Sequence, residues 1–140
     1  MASIKIIEFQ QGHKIPLSGG KFLVDGPGPL GAVSVLIRFR NVNSDRKVIK
    51  YIRFYVTPYN AVGDVVSCSY GEHSTIALKG TGPIKPYSFW TGPADTNYIF
   101  ETVWANYTIS KAIISKVEID YMDGSSEVIS GDELNKSETH

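Results

Sequence analysis

Apolar and polar residues alternate with a period of two along most of this chain, and nowhere with a sustained helical period. In AVSVLIRFR, Val33, Val35, Ile37 and Phe39 fall on one side, and Ser34, Leu36, Arg38 and Arg40 on the other. That is the pattern of a strand with one face in a core. KYIRFYV repeats it, with Ile52, Phe54 and Val56 inward and Tyr51, Arg53 and Tyr55 outward. SKVEIDYM does so again, with Val117, Ile119 and Tyr121 inward and Lys116, Glu118 and Asp120 outward. Weaker strand patterns run through SIKIIEF, VVSCSY, STIAL, YIFETVWA and SEVIS, and ISKAII is the only segment that suggests a helical turn.

Glycine, proline and asparagine divide these runs at intervals of about ten residues, the turn rhythm of an all-β sandwich. Two of the turns can be specified in advance. In PYNAVGD, Pro58 keeps Thr57 extended and brings no amide to a ladder, so it belongs at an edge or bulge. Asn60 suits the first position of a type I turn, Ala61 and Val62 its centre, and Gly63 the left-handed residue that follows. Asp64 then caps the turn, and Val65 and Val66 begin a return strand. The tip of this turn is alanine and valine, which points to a hairpin more than to a ligand loop. In MDGS, Asp123 and Gly124 suit the two left-handed positions of a type I′ turn. The same stretch imitates a calcium loop, but Met122 stands where the ligand after Asp120 is required.

Other motifs fail on their context. DGPGPLG matches a dinucleotide fingerprint through Gly26, Gly28 and Gly31, yet a strand follows it where the phosphate mechanism needs the start of a helix. A stiff inter-strand loop is the better reading. Cys68 and His73 would be the thiol and base of a nucleophilic site, but alternation puts Cys68 with Val66 and Tyr70 on a core face. His13, His73 and His140 are too scattered to set metal-ligand spacing. Glu118 and Asp120 share the outer face of one strand. They are either half of a glycosidase-like pair or partners for cations on neighbouring strands.

The outer faces hold the remaining candidates. Arg38, Arg40 and Arg53 project with Tyr51 and Tyr55 from strands that read as adjacent, with Glu118 and Asp120 on another. They form either a polar binding platform or a solvated face of weak ion pairs. Trp90 and Trp104, with Tyr87, Tyr98 and Tyr107, raise the alternative of a sugar-stacking platform. Trp104 belongs to a strand that alternates Tyr98, Phe100, Thr102 and Trp104, and so to the core, whereas Trp90, in the loop PYSFWTGP, is the freer ring.

Composition narrows the classes. At 140 residues, 42% of them hydrophobic and 20% charged, the chain suits one globular domain. Lysine plus arginine equals aspartate plus glutamate at 14 each, which leaves no global field for nucleic acid or an anionic membrane. A single cysteine excludes an internal disulfide framework. No apolar run approaches the ~20 residues of a membrane span and no leader precedes IKIIEF. The expected setting is therefore cytoplasmic as written, or that of an exported module supplied without its leader. The sequons at Asn106 and Asn135 read as chance, and the tail GDELNKSETH as polar and frayed.

The segments FRNVNSDRKVIKYIRFYVTPYNAVGDVV, GTGPI and ISKVEIDYMDGSSEVI resemble an uncharacterised family of bacterial Ig-like β-sandwich domains. The likeness runs from about residue 33 to residue 129. It departs from the family pattern in lacking a glycine soon after Pro86 and in the first thirty residues. The resemblance implies an accessory module and brings no ligand or activity.

The expectation is thus one domain over residues 1–140, an all-β, Ig-like or fibronectin-like antiparallel sandwich with a polar tail over 131–140. It is expected to be a non-catalytic binding or structural interaction module of a bacterial surface or phage-related assembly, without a cofactor. A protein or glycan partner is favoured over a small molecule. The candidate contacts are Trp90, Tyr87, Tyr51, Tyr55 and Arg53, and the structural turn residues are Asn60, Gly63, Asp64, Asp123 and Gly124. A carbohydrate-binding module and a hydrolase with a dispersed site are the alternatives.

Overall fold

The alternating segments pair into two antiparallel sheets whose apolar faces meet. The computed structural model describes residues 3–13, 23, 26–69, 71, 73–90 and 99–138. Its strands are β1 (Ile4–Gly12), β2 (Ala32–Asn41), β3 (Ile49–Tyr59), β4 (Ile76–Ile84), β5 (Ile99–Ala105), β6 (Lys111–Tyr121) and β7 (Ser126–Ser130), followed by helix α1 (Gly131–Glu138). One sheet has the order β1-β2-β5 and the other β4-β3-β6-β7. The chain changes sheets between β2 and β3, so Arg38 and Arg40 lie on one sheet and Arg53 on the other, not on adjacent strands. Alternation shows which side of a strand is polar but not which strand lies beside it.

The inward positions of β2, β3 and β6 form the core as their spacing predicts. Val33, Val35, Ile37, Phe39, Ile52, Phe54, Val56, Val117, Ile119 and Tyr121 are all buried. Phe54 meets Phe39 edge-on at 5.3 Å, Phe39 meets Trp90 at 5.4 Å, and Trp90 stacks on Phe100 at 5.8 Å. Trp104 is fully buried, and its indole N–H donates to the Ser74 carbonyl at 2.7 Å. A buried indole needs such a partner. Ser34 and Leu36, read as outward, are buried as well, Leu36 against Leu23.

Several expectations are corrected. ISKAII is no helical turn, because Ile113 and Ile114 lie in β6 opposite Thr57 and Val56. The helix comes instead where the tail was expected to fray. Ser130 Oγ accepts the Glu133 amide at 3.2 Å, an N-cap, and Asp132 and Glu133 complement the helix dipole in its first turn. Leu134 is buried, and this apolar anchor holds α1 against the sandwich. The described part of VVSCSY, residues 65–69, is not a strand: Val65 makes one bridge to Tyr59, and Val66 donates to the Pro58 carbonyl at 3.1 Å. That carbonyl points to the side of β3 beyond the end of β4, so the amide that Pro58 lacks would have had no strand there to pair with.

Both specified turns form, in one geometry. Gly63 donates to the Asn60 carbonyl at 3.1 Å and Asn60 to the Asp64 carbonyl at 2.9 Å, with Gly63 at φ 89°. Gly124 donates to Tyr121 at 3.1 Å and Tyr121 to Ser125 at 2.9 Å, with Gly124 at φ 90°. Each is a type I turn closed by a left-handed glycine. The type I′ assignment of Asp123 and Gly124 is therefore wrong by one residue. Asp123 keeps negative φ, and its carboxylate accepts the Ser125 amide at 2.9 Å.

The Gly26–Gly28–Gly31 segment leads through a short 3-10 turn, Pro29–Gly31, directly into β2. No helix follows it to present amides to a phosphate. No described helix is long and apolar enough to cross a membrane.

Candidate functional site

Register turns the outer face of the four-stranded sheet into a grid. Tyr51, Arg53 and Tyr55 of β3 face Asp120, Glu118 and Lys116 of β6 on one side. On the other side they face Thr81, Lys79 and Ala77 of β4. Beyond β6 stand Ser126, Val128 and Ser130 of β7. Directly opposed residues in an antiparallel pair share a face, so these twelve positions form one surface.

Arg53 is its centre. Its Nε donates to Glu118 Oε1 at 3.1 Å and its Nη2 to Asp120 Oδ2 at 3.1 Å. The Tyr55 hydroxyl donates to the same Glu118 oxygen at 2.8 Å, and Lys116 Nζ stands 3.6 Å from its other oxygen. The hydrogen bonds from Tyr55 and then Arg53 hold the Glu118 carboxyl below the usual carboxylate range. Conversely, the bond to Glu118 raises the Tyr55 phenol, and the bonds to Glu118 and then Asp120 raise Arg53. Lys79 Nζ lies 4.1 Å from the centre of the Tyr51 ring, and Lys116 Nζ 4.5 Å from that of Tyr55. Cations at these distances are attracted to the ring face and hold both tyrosines in place. Glu118 and Asp120, read as a possible acid/base pair, are both bound to one guanidinium.

Tyr87 and Trp90 are elsewhere. Residues 87–90 pair with the end of β2: Tyr87 donates to Asn41 at 2.7 Å, Asn41 to Ser88 at 3.0 Å, and Trp90 to Phe39 at 3.1 Å. Phe89 forms an isolated bridge with Arg40, and in this arrangement Tyr87 and Phe89 are half exposed while Trp90 turns inward. Trp90 is therefore buried, 4% exposed, and offers no stacking surface, contrary to its expected freedom. Its ring packs over Gly80, where a Cβ would come 2.8 Å from it. Tyr107 is exposed, and Tyr98 lies outside the described residues.

The thiol is buried and inside the core cluster. The Cys68 amide donates to the His73 carbonyl at 2.7 Å, and His73 Nε2 lies 3.2 Å from the Val103 carbonyl, which fixes that nitrogen as a donor. His13 Nδ1 contacts the Gly26 carbonyl at 2.9 Å. Tyr70 and His140 fall outside the described residues. Among the described residues no three histidine, cysteine or acidic side chains converge in a metal-binding arrangement.

Of the five candidate contacts, the fold brings Tyr51, Arg53 and Tyr55 together and separates them from Tyr87 and Trp90. Lys79, Lys116 and exposed Val128 complete the face. Sequence reasoning missed these as site members because only strand register joins them to Arg53. Comparisons with models of protein families, with curated proteins and with solved structures return no match.

Proposed function

We propose that this chain is a non-catalytic interaction module that binds a protein partner through the open face of its four-stranded sheet. The observation that carries this reading is the Tyr51–Arg53–Tyr55 column, held by Lys79, Lys116, Glu118 and Asp120. Tyrosine and arginine supply much of the binding energy at protein interfaces, and side chains already held in place lose little entropy on contact. An open sheet face suits another protein surface, whereas small molecules prefer concave sites.

The immunoglobulin-like plan is part of the proposal. Lettered along the chain as A, B, C, C′, E, F and G, the strands form sheets A-B-E and C′-C-F-G, and the second has the order of the sheet that carries C′ in variable-type domains. A bacterial surface or phage-related assembly is the setting proposed for it, and the family resemblance supports an accessory module of bacterial origin.

The test is a photo-crosslinking residue in place of Tyr55, with a control at Val62 on the Asn60–Asp64 turn, in cells that carry the gene. Position 55 should yield a discrete protein adduct that Tyr51→Ala weakens and position 62 does not give. Equal adducts from both positions would sink the reading. So would glycan-array binding that is lost in Tyr51→Ala, which would move the function to carbohydrate.

A further inference from the structure

The outer face of the other sheet sets two cations directly opposite each other. Lys5 of β1 is the direct cross-strand partner of Arg40 of β2, on the face opposite buried Ile4, Ile6 and Phe39. Like charges directly opposed in an antiparallel pair repel. Arg38 and Arg53 are each held by a carboxylate: Arg38 by Glu8 at 3.3 Å, and Arg53, which also faces Lys79 of β4, by Glu118 and Asp120 at 3.1 Å each. Neither Lys5 nor Arg40 has a carboxylate partner among the described residues.

Arg40 is nonetheless held in place. Its Nε donates to the Tyr87 carbonyl at 2.8 Å, and its guanidinium carbon lies 5.8 Å from the Tyr87 ring centre and 5.5 Å from that of Phe89. This leaves the terminal Nη groups as a fork with no acceptor among the described residues, and a carboxylate accepts from such a fork in a bidentate way. Both rings are half exposed, Tyr87 at 50% and Phe89 at 54%. Tyr87 also occupies the left-handed position of the turn after Pro86, at φ 65°, where glycine is the usual residue. Beside Phe89 lies a shallow hollow of about 300 Å³, lined by Gly82, Pro83, Ile84 and a further cation, Lys85.

We propose that Lys5, Arg40, Tyr87 and Phe89 form a docking site for an acidic segment of a partner protein. A carboxylate sits between Lys5 and the Arg40 fork, and a neighbouring apolar side chain packs on the two rings. Charge complementarity selects this occupant: the bound carboxylate relieves the repulsion between the cations. A nucleic acid backbone needs a longer basic track than this isolated cluster on a chain of zero net charge. The site is on the sheet opposite the Tyr51–Arg53–Tyr55 face and stands independently of that reading.

The experiment is an NMR titration of the full chain with three probes. They are a short peptide alternating glutamate and phenylalanine, its glutamine counterpart, and a single-stranded DNA of equal charge. The acidic peptide should bind saturably, with shifts confined to the neighbourhood of Lys5, Arg40 and Phe89. Arg40→Gln should weaken it about tenfold or more, the size expected for a lost charge-assisted pair. Lys5→Glu guards against misfolding as an explanation, since it should raise the melting temperature of the free protein while abolishing peptide binding. Absence of binding, equal binding of the glutamine peptide, tighter binding of the DNA, or unchanged binding by Lys5→Glu would each overturn the proposal.

Discussion

Gly63 and Tyr87 both stand in the left-handed region, at φ 89° and 65°, and only one of them is a glycine. At Gly63 an added Cβ meets nothing within 4 Å, so Gly63→Ala carries a backbone penalty alone. That substitution should cost about 1 kcal/mol or somewhat more. Asn60→Ala should cost a similar amount, ~1 kcal/mol, because Asn60 Oδ1 accepts two amides, Val62 at 3.1 Å and Asp64 at 2.9 Å. Urea unfolding of both variants checks this, and a Gly63→Ala midpoint equal to the parent would contradict the assigned geometry. The Gly63 turn was legible because its residues announce their dihedral angles. Tyr87 was not, because nothing in its side chain favours positive φ and the constraint comes from the pairing of residues 87–90 with β2.

At the scale of elements, α1 shows how a polar composition can hide an anchored helix. The tail reads as polar and frayed because GDELNKSETH holds one large apolar residue, yet Leu134 is buried among core residues. Leu134→Ala should cost at least about 2 kcal/mol, and a urea melt with the helical circular dichroism signal followed in parallel measures it. A variant as stable as the parent would mean that α1 does not depend on this anchor. The strand β5 was misread in a different way. Its register against β2 shifts between Val33 and Val35, and Thr102 in this stretch sits at φ 49° and is exposed, while Val103 and Trp104 are both buried. Strict alternation through Thr102 put it on the core face with Trp104. A bulge adds residues to one strand only, and the partner that reveals it is about seventy residues away in sequence.

At the scale of the whole molecule, a polar network ties the two sheets together at one end. Asn41 donates to the carbonyls of Lys47 and Ile84, at 2.9 and 3.0 Å. Asn43 donates to Ser3 Oγ at 3.2 Å and to the Tyr121 hydroxyl at 3.1 Å, and Glu127 accepts from Tyr121 at 2.6 Å and from Ser3 at 2.7 Å. Burial, reinforced by the bond to Glu127, pushes the Tyr121 phenol from 10.0 up to about 12. The folded protein therefore keeps this proton at a pH where the unfolded chain gives it up. The resulting stabilisation is complete below about pH 10 and is lost as the pH rises toward 12. Tyr121→Phe should lower stability at neutral pH, since it leaves Asn43 and Glu127 short of a partner, and should flatten the alkaline decline. Urea unfolding from neutral pH into this alkaline range measures both effects, and an unchanged alkaline slope would show that Tyr121 is not its source.

The sequence by itself determined the strand class, the inward residues of β2, β3 and β6, and the positions of the two glycine-closed turns. These depend on local stereochemistry and on which side of a strand is apolar, which neighbours along the chain decide. Only the tertiary structure decided that Arg40 and Arg53 face opposite ways, that Trp90 fills the core, that Lys79 and Lys116 hold Tyr51 and Tyr55, and that Lys5 stands against Arg40. Each of these follows from strand order and register, which are set by packing between segments far apart in sequence.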